Sequence, residues 1–153
     1  MDPEPLLERR ISMITLGVRD LARARAFYAA LGWTGTEVAD TVFVQLDGLA
    51  LCLWDRAQLA EECGVAAAGD PTGFGGLALA HNVRSPAEVD VVVAAARDAG
   101  ATVTRAPSAT FYGGYAGCFR DPEGHVWEIA HNPGFPLTEA GGLVVPDFGD
   151  AST

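Results

Sequence analysis

At 153 residues, with 49% hydrophobic and 20% charged side chains, the chain is long enough for one domain or two small packed halves, and its composition is that of a folded protein rather than a disordered one. Its net charge of −10 argues against a nucleic-acid partner or an anionic membrane surface. The three cysteines, Cys52, Cys63 and Cys118, are odd in number and lack C-x-x-C spacing, which argues against a disulfide framework and a structural zinc site. The start, MDPEPLLERR, has no signal-peptide core, and no later apolar run is long enough to span a bilayer, so a cytoplasmic protein is the expectation.

In chain order, residues 1–10 form an N-terminal extension, and ISMITLGV (11–18) reads as a β-branched, apolar strand. Asp20 caps a helix, LARARAFYAAL, that Gly32 ends. Strand-like pieces follow at TEVA, TVFVQL and LALCLW, with an Asp47-Gly48 hairpin turn between the last two. Residues 56–74 link this set to a second one and include a short helical piece around AQLAEEC. The order then repeats. GGLALAHNV (75–83) is a strand, and Ser85-Pro86-Ala87-Glu88 is a capping box with Pro at the first helical position. The helix PAEVDVVVAAARDA closes at Gly100, and ATVTRA, YAGCFRD and HVWEIAH complete the set. A Gly- and Pro-rich tail, 133–153, is expected to be irregular. The fold class is α+β. Two tandem βαβββ modules, 11–55 and 75–132, are expected to form a curved, partly closed mixed sheet around a cavity, with the helices outside.

The stretch DPEGHVWEIAHNP (121–133) raises a chemical question. Asp121-Pro122-Glu123-Gly124 has the residue preferences of a type I turn. In the strand that follows, Val126, Glu128 and Ala130 share one face, and His125, Trp127, Ile129 and His131 share the other. An ionised carboxylate at mid-strand is costly unless it is paired, coordinated or protonated. The simplest expectation is a structural acid bonded to a neighbouring Arg or backbone amide.

The segments MITLGVRDLARARAFYAALGW (13–33) and GGYAGCFRDPEGHVWEIAHNP (113–133) resemble the vicinal-oxygen-chelate superfamily, which includes glyoxalase I, bleomycin-resistance proteins and extradiol dioxygenases. The resemblance implies a cavity whose metal-dependent members place up to four ligands on the first and last strands of each module. Only Glu128 carries over as a ligand. The other positions fall at Met13, at Cys52, and at Gly76 or Ala78. One carboxylate and one thiol make a poor Zn²⁺, Mn²⁺ or Fe²⁺ site. No cofactor is therefore expected, although a divalent metal stays open with Glu128 as the only matched ligand. His81, His125 and His131 match no inherited ligand position. Strict alternation turns Asn82 inward and His81 outward unless a bulge intervenes.

Alternation places Met13 and Thr15, Cys52 and Trp54, and Val126, Glu128 and Ala130 toward the cavity, with Phe43 and Gln45 in matching parity. The FYGGY loop adds Tyr112 and Tyr115 near its mouth. Three functions follow. The favoured one is binding of a small organic molecule gripped by Trp54, Tyr112 and Tyr115, with Glu128 anchoring a cationic or hydrogen-bonding group. The second is a metal-free lyase or isomerase using Glu128 as catalytic acid or base. The third is a metalloenzyme, dioxygenases among the models, with displaced ligands such as Glu128, Cys52 and His81. The resemblance also implies a homodimer.

Overall fold

The structure is a computed structural model describing residues 6–67, 69 and 73–148. The chain divides into two compact units, Met1–Ala68 and Gly69–Thr153. The first contains β1 (Met13–Val18), α1 (Leu21–Ala30), β2 (Thr36–Val38), β3 (Thr41–Gln45), β4 (Ala50–Asp55) and α2 (Arg56–Glu62). The second contains β5 (Ala78–Asn82), α3 (Pro86–Asp98), β6 (Thr102–Ala109), β7 (Tyr115–Arg120) and β8 (Val126–His131). Among the described residues the strands form two four-stranded mixed sheets, in the orders β1-β4-β3-β2 and β5-β8-β7-β6, not a closed barrel. In each sheet the first and last strands of the module pair in parallel and the other neighbours are antiparallel. Parallel partners need a long crossover, and α1 and α3 lie within those crossovers.

The helices begin where the caps demand. Asp20 Oδ1 accepts a hydrogen bond of 3.0 Å from the Arg23 amide, and Ser85 Oγ accepts one of 3.2 Å from the Glu88 amide. The capping box at Ser85 closes one residue early: Glu88 Oε2 accepts from the Arg84 amide at 2.7 Å. α1 then buries Ala24, Phe27 and Tyr28, and packs on β3 and β4. The same side of that sheet buries Leu16, Val18, Val42, Val44, Leu51 and Leu53. α3 buries Val89, Val93 and Ala96 and packs on β6, β7 and β8, where Phe119, Trp127 and Ile129 are buried. Full burial of a side chain such as Phe27 or Leu53 contributes about 1.5–3 kcal/mol. Each sheet thus has one face closed by a helix of its own unit.

α2 lies in the expected linker but belongs to the first unit, packing on β1 and β4. A Cβ on Gly17 would meet the Arg56 Cα at 3.1 Å, so the missing side chain lets α2 approach β1. The expected strand at 75–83 is shorter, because regular pairing starts only at Ala78. The described parts of the two terminal segments, 6–10 and 133–148, contain no helix or named strand, only a bridge between Leu137 and Leu143. Among the described residues no helix is long and apolar enough to cross a membrane.

The β2–β3 hairpin contains a strain that the sequence did not suggest. Val38 pairs with Thr41 across a two-residue turn in which Ala39 and Asp40 have φ of 49° and 63°. The right-handed twist of the strands demands this left-handed turn, yet Ala is poorly suited to it. Replacing the pair with Asn-Gly (Ala39→Asn, Asp40→Gly) is expected to stabilise the protein by about 1 kcal/mol. The check is a higher urea midpoint at unchanged m-value; an unchanged or lower midpoint would contradict the turn assignment.

Candidate functional site

Glu128 is the third residue of β8, half-buried, on the face turned away from α3. Its strand neighbours Trp127 and Ile129 point to the helix side and are buried. In register, Ala80 on β5 and Cys118 on β7 flank it. Glu128 makes no hydrogen bond or ion pair with any described residue. The structural acid expected from the sequence, held by an Arg or a backbone amide, is therefore not what the structure contains. The acid that serves structure is Asp121, in the turn before β8. Its carboxylate accepts from the amides of Glu123 (2.9 Å) and His125 (2.8 Å), and its Oδ2 lies 2.8 Å from His125 Nδ1.

The row across the second sheet continues from Glu128 through Cys118 to Arg105 on β6. Arg105 reaches this row through an irregularity. Val103 pairs with Phe119 on the helix side, but Arg105, two residues on, pairs with the next residue of β7, Cys118. The extra residue in β6 is a bulge, and it turns Arg105 onto the face of Glu128. A second register shift follows between Arg105 and Ser108, around Pro107, which has no amide proton to give a ladder. The Arg105 guanidinium is exposed and forms no hydrogen bond or ion pair with a described residue. Both charges act on Cys118: burial and then the Glu128 carboxylate push its thiol up, and the Arg105 guanidinium pulls it down. A second arginine on this face, Arg120, donates to the Gly124 carbonyl at 3.2 Å. Sequence reasoning missed Arg105. The only trace was the proline two residues later, in TRAPSA.

The tyrosines do not gather around Glu128. Tyr115 shares the helix side with Phe119 and Trp127, and its hydroxyl donates to Asp90 Oδ1 of α3 at 2.7 Å. That bond to a carboxylate pushes the phenol up. Strand parity is the reason: Tyr115 and Glu128 are separated in register by an odd number of positions and so face opposite ways. Tyr112 sits in the β6–β7 turn, 42% exposed, edge-on to Phe111 with ring centroids 5.3 Å apart. The histidines also lie away from Glu128. The β5–β8 register runs without a bulge, so His81 faces the α3 side and Asn82 the other. His131 Nδ1 lies 3.2 Å from the Val83 carbonyl, which makes it the donor in that bond.

In the first unit, Met13, Thr15, Phe43, Gln45, Cys52 and Trp54 share the face opposite α1, as alternation requires. Their roles there differ. Cys52 is buried to 1% exposure and burial pushes its thiol up, whereas Met13 and Phe43 are exposed and Trp54 is half-buried. The Gln45 amide is spent locally, donating to the Leu46 carbonyl at 2.8 Å and the Leu49 carbonyl at 3.3 Å, which fastens the Asp47-Gly48 turn.

The two modules are equivalent in register. Cys52 and Glu128 are each the third residue of their strand, and Met13 and Ala78 each open the parallel pairing. Gly76, at φ 83°, lies before β5. The four inherited metal positions are thus a thioether, a buried thiol, a methyl group and one carboxylate. That set does not fit a Zn²⁺, Mn²⁺ or Fe²⁺ ion, which takes three or more N, O or thiolate donors. No three His, Cys, Asp or Glu side chains cluster in metal-binding geometry among the described residues.

This repeated βαβββ architecture defines a class, and the comparisons agree with it. The sequence matches the family model for the Glyoxalase/Bleomycin resistance protein/Dioxygenase superfamily over residues 10–129, and the chain belongs to that superfamily. A glyoxalase-related enzyme from Fulvimarina pelagi is similar at 35% identity and a TM-score of 0.82, covering 91% of this chain and 99% of its own. Hypothetical protein SA1046 from S. aureus shares the fold at 21% identity and a TM-score of 0.70, covering 82% of this chain and 95% of its own. Lactoylglutathione lyase from Agrobacterium tumefaciens does so at 24% and 0.60, covering 81% of this chain and 94% of its own. No curated protein matches the sequence.

The Arg105–Cys118–Glu128 row predicts opposite effects on thiol reactivity, since the thiolate is the reactive form. At fixed mildly alkaline pH, Glu128→Gln should speed iodoacetamide alkylation of Cys118 and Arg105→Gln should slow it. Each change should stay within about tenfold, the factor a full pKa unit gives. Peptide mass spectrometry reads the rates, with exposed Cys63 as the internal control. Equal rates in both variants would refute the row.

Proposed function

We propose that this chain binds a small organic molecule without a metal ion, Glu128 anchoring a cationic or hydrogen-bond-donating group of the ligand. The observation that carries this reading is the carboxylate itself: half-buried, on a sheet face that no helix of its unit covers, and without a hydrogen-bond partner among the described residues. A carboxylate so placed has been partly stripped of water and keeps its accepting capacity for a ligand. Three of the four inherited metal positions offer no hard donor, which supports the metal-free form. Tyr115 is not part of this proposal, because its hydroxyl is engaged with α3.

Calorimetry and thermal-shift screening against amine-bearing antibiotics and metabolites should find a ligand that raises the melting temperature. Glu128→Gln should weaken its binding about tenfold or more, the range for hydrogen bonds to charged groups. A wild-type protein that binds none of them would sink the proposal. Turnover of a bound ligand that disappears in Glu128→Gln would instead assign a metal-free lyase or isomerase. Elemental analysis of untagged protein purified without chelators should find no stoichiometric transition metal. Sedimentation should report the homodimer that we include in the proposal.

A further inference from the structure

Glu128 and Arg105 lie on one face of one sheet, in one register row, with only Cys118 between them. Adjacent strands are about 4.8 Å apart, so the two backbones are separated by about 10 Å. Both side chains rise from the sheet on that side, and they do not pair: no ion pair within 4.0 Å joins them, and neither bonds to another described residue. Unlike charges this close would ordinarily be expected to find each other or a third group. Here a bulge in β6 is what brings the cation onto the face, and a bulge next to a functional residue commonly serves to aim a side chain. The other arginine on the face, Arg120, is fastened to the Gly124 carbonyl of the turn before β8. Arg105 is the cation with its donors available.

From this juxtaposition we infer that the ligand is dipolar: a small zwitterion whose ammonium group meets Glu128 and whose carboxylate meets the Arg105 guanidinium. Amino-carboxylates and short peptides with their charges several bonds apart have this chemistry. A guanidinium suits a carboxylate because its planar N–H pairs match the two oxygens. Cys118 lies under the middle of such a molecule as a neutral thiol, offering apolar contact to the connecting chain. The inference rests on the proposed binding at Glu128 and adds the second charge, with its sign and its place.

Isothermal calorimetry at low ionic strength tests it, because salt screens exposed charges. The probes are ε-aminocaproate and glycylglycine, with n-hexylamine and hexanoate as single-charge controls. The wild type is expected to bind at least one zwitterion about tenfold or more tightly than either control. Arg105→Gln should remove that advantage without weakening n-hexylamine binding, since it takes away a like charge near the ammonium. Glu128→Gln should abolish binding of n-hexylamine and weaken binding of the zwitterion. Arg105→Lys should retain part of the advantage, which shows that charge rather than folding is at issue, and melting temperatures of all variants should match the wild type. If n-hexylamine and the zwitterions bind alike and Arg105→Gln alters neither, the dipolar ligand is overturned while anchoring at Glu128 stands. If wild type binds none of the four probes, the dipolar ligand is overturned here, and the broader amine screen decides separately whether Glu128 anchors anything.

Discussion

Period-two alternation in strands whose apolar set is claimed by one long helix is the constraint from which the molecule's chemistry follows. In each unit, α1 or α3 takes the apolar set of its sheet: Leu16, Leu51 and Leu53 in one, Phe119, Trp127 and Ile129 in the other. Once those residues are committed, every neighbour in sequence is turned the other way. Glu128 faces away from α3 because Trp127 and Ile129 cannot. A one-residue slip of β8 would bury the carboxylate under the helix and expose an indole, and the cost of both errors fixes the register.

Most of the architecture could be read from the residues for the same reason. The cap at Asp20, the cap at Ser85, the glycine after α1 and the Asp-Pro-Glu-Gly turn are local devices, and each works where its side chain or its missing side chain says it should. The shared face of Met13, Phe43, Cys52 and Trp54 also followed from parity alone. Parity was equally able to exclude Tyr115 from Glu128's side, had the two strands been placed in register beforehand.

Arg105 could not be found that way, because a bulge suspends the rule by which the rest was found. Position 105 carries the parity of Val103 in an unbroken strand, and the pattern of TVTRAPSA gives no count of how many residues oppose Cys118. The free state of the Glu128 carboxylate was also hidden. A sequence shows that an acid lies in a strand, but the absence of a partner is a property of everything around it. The four metal positions were different, since the identity of a donor is written in the residue type once the register is known.

The superfamily's shared scaffold carries chemistry that its fold does not specify. In this chain the specificity resides in side chains on a regular ladder and in one departure from it. That departure has an evolutionary corollary. Removing the single codon for Thr104 would restore the ladder and leave the guanidinium on its present face, because Arg105 would then follow Val103 directly and stay opposite Cys118. Only smoothing the bulge with Thr104 kept in place would turn it to the α3 side. Strand length at this one site can therefore change among descendants of a common ancestor without loss of the charged contact.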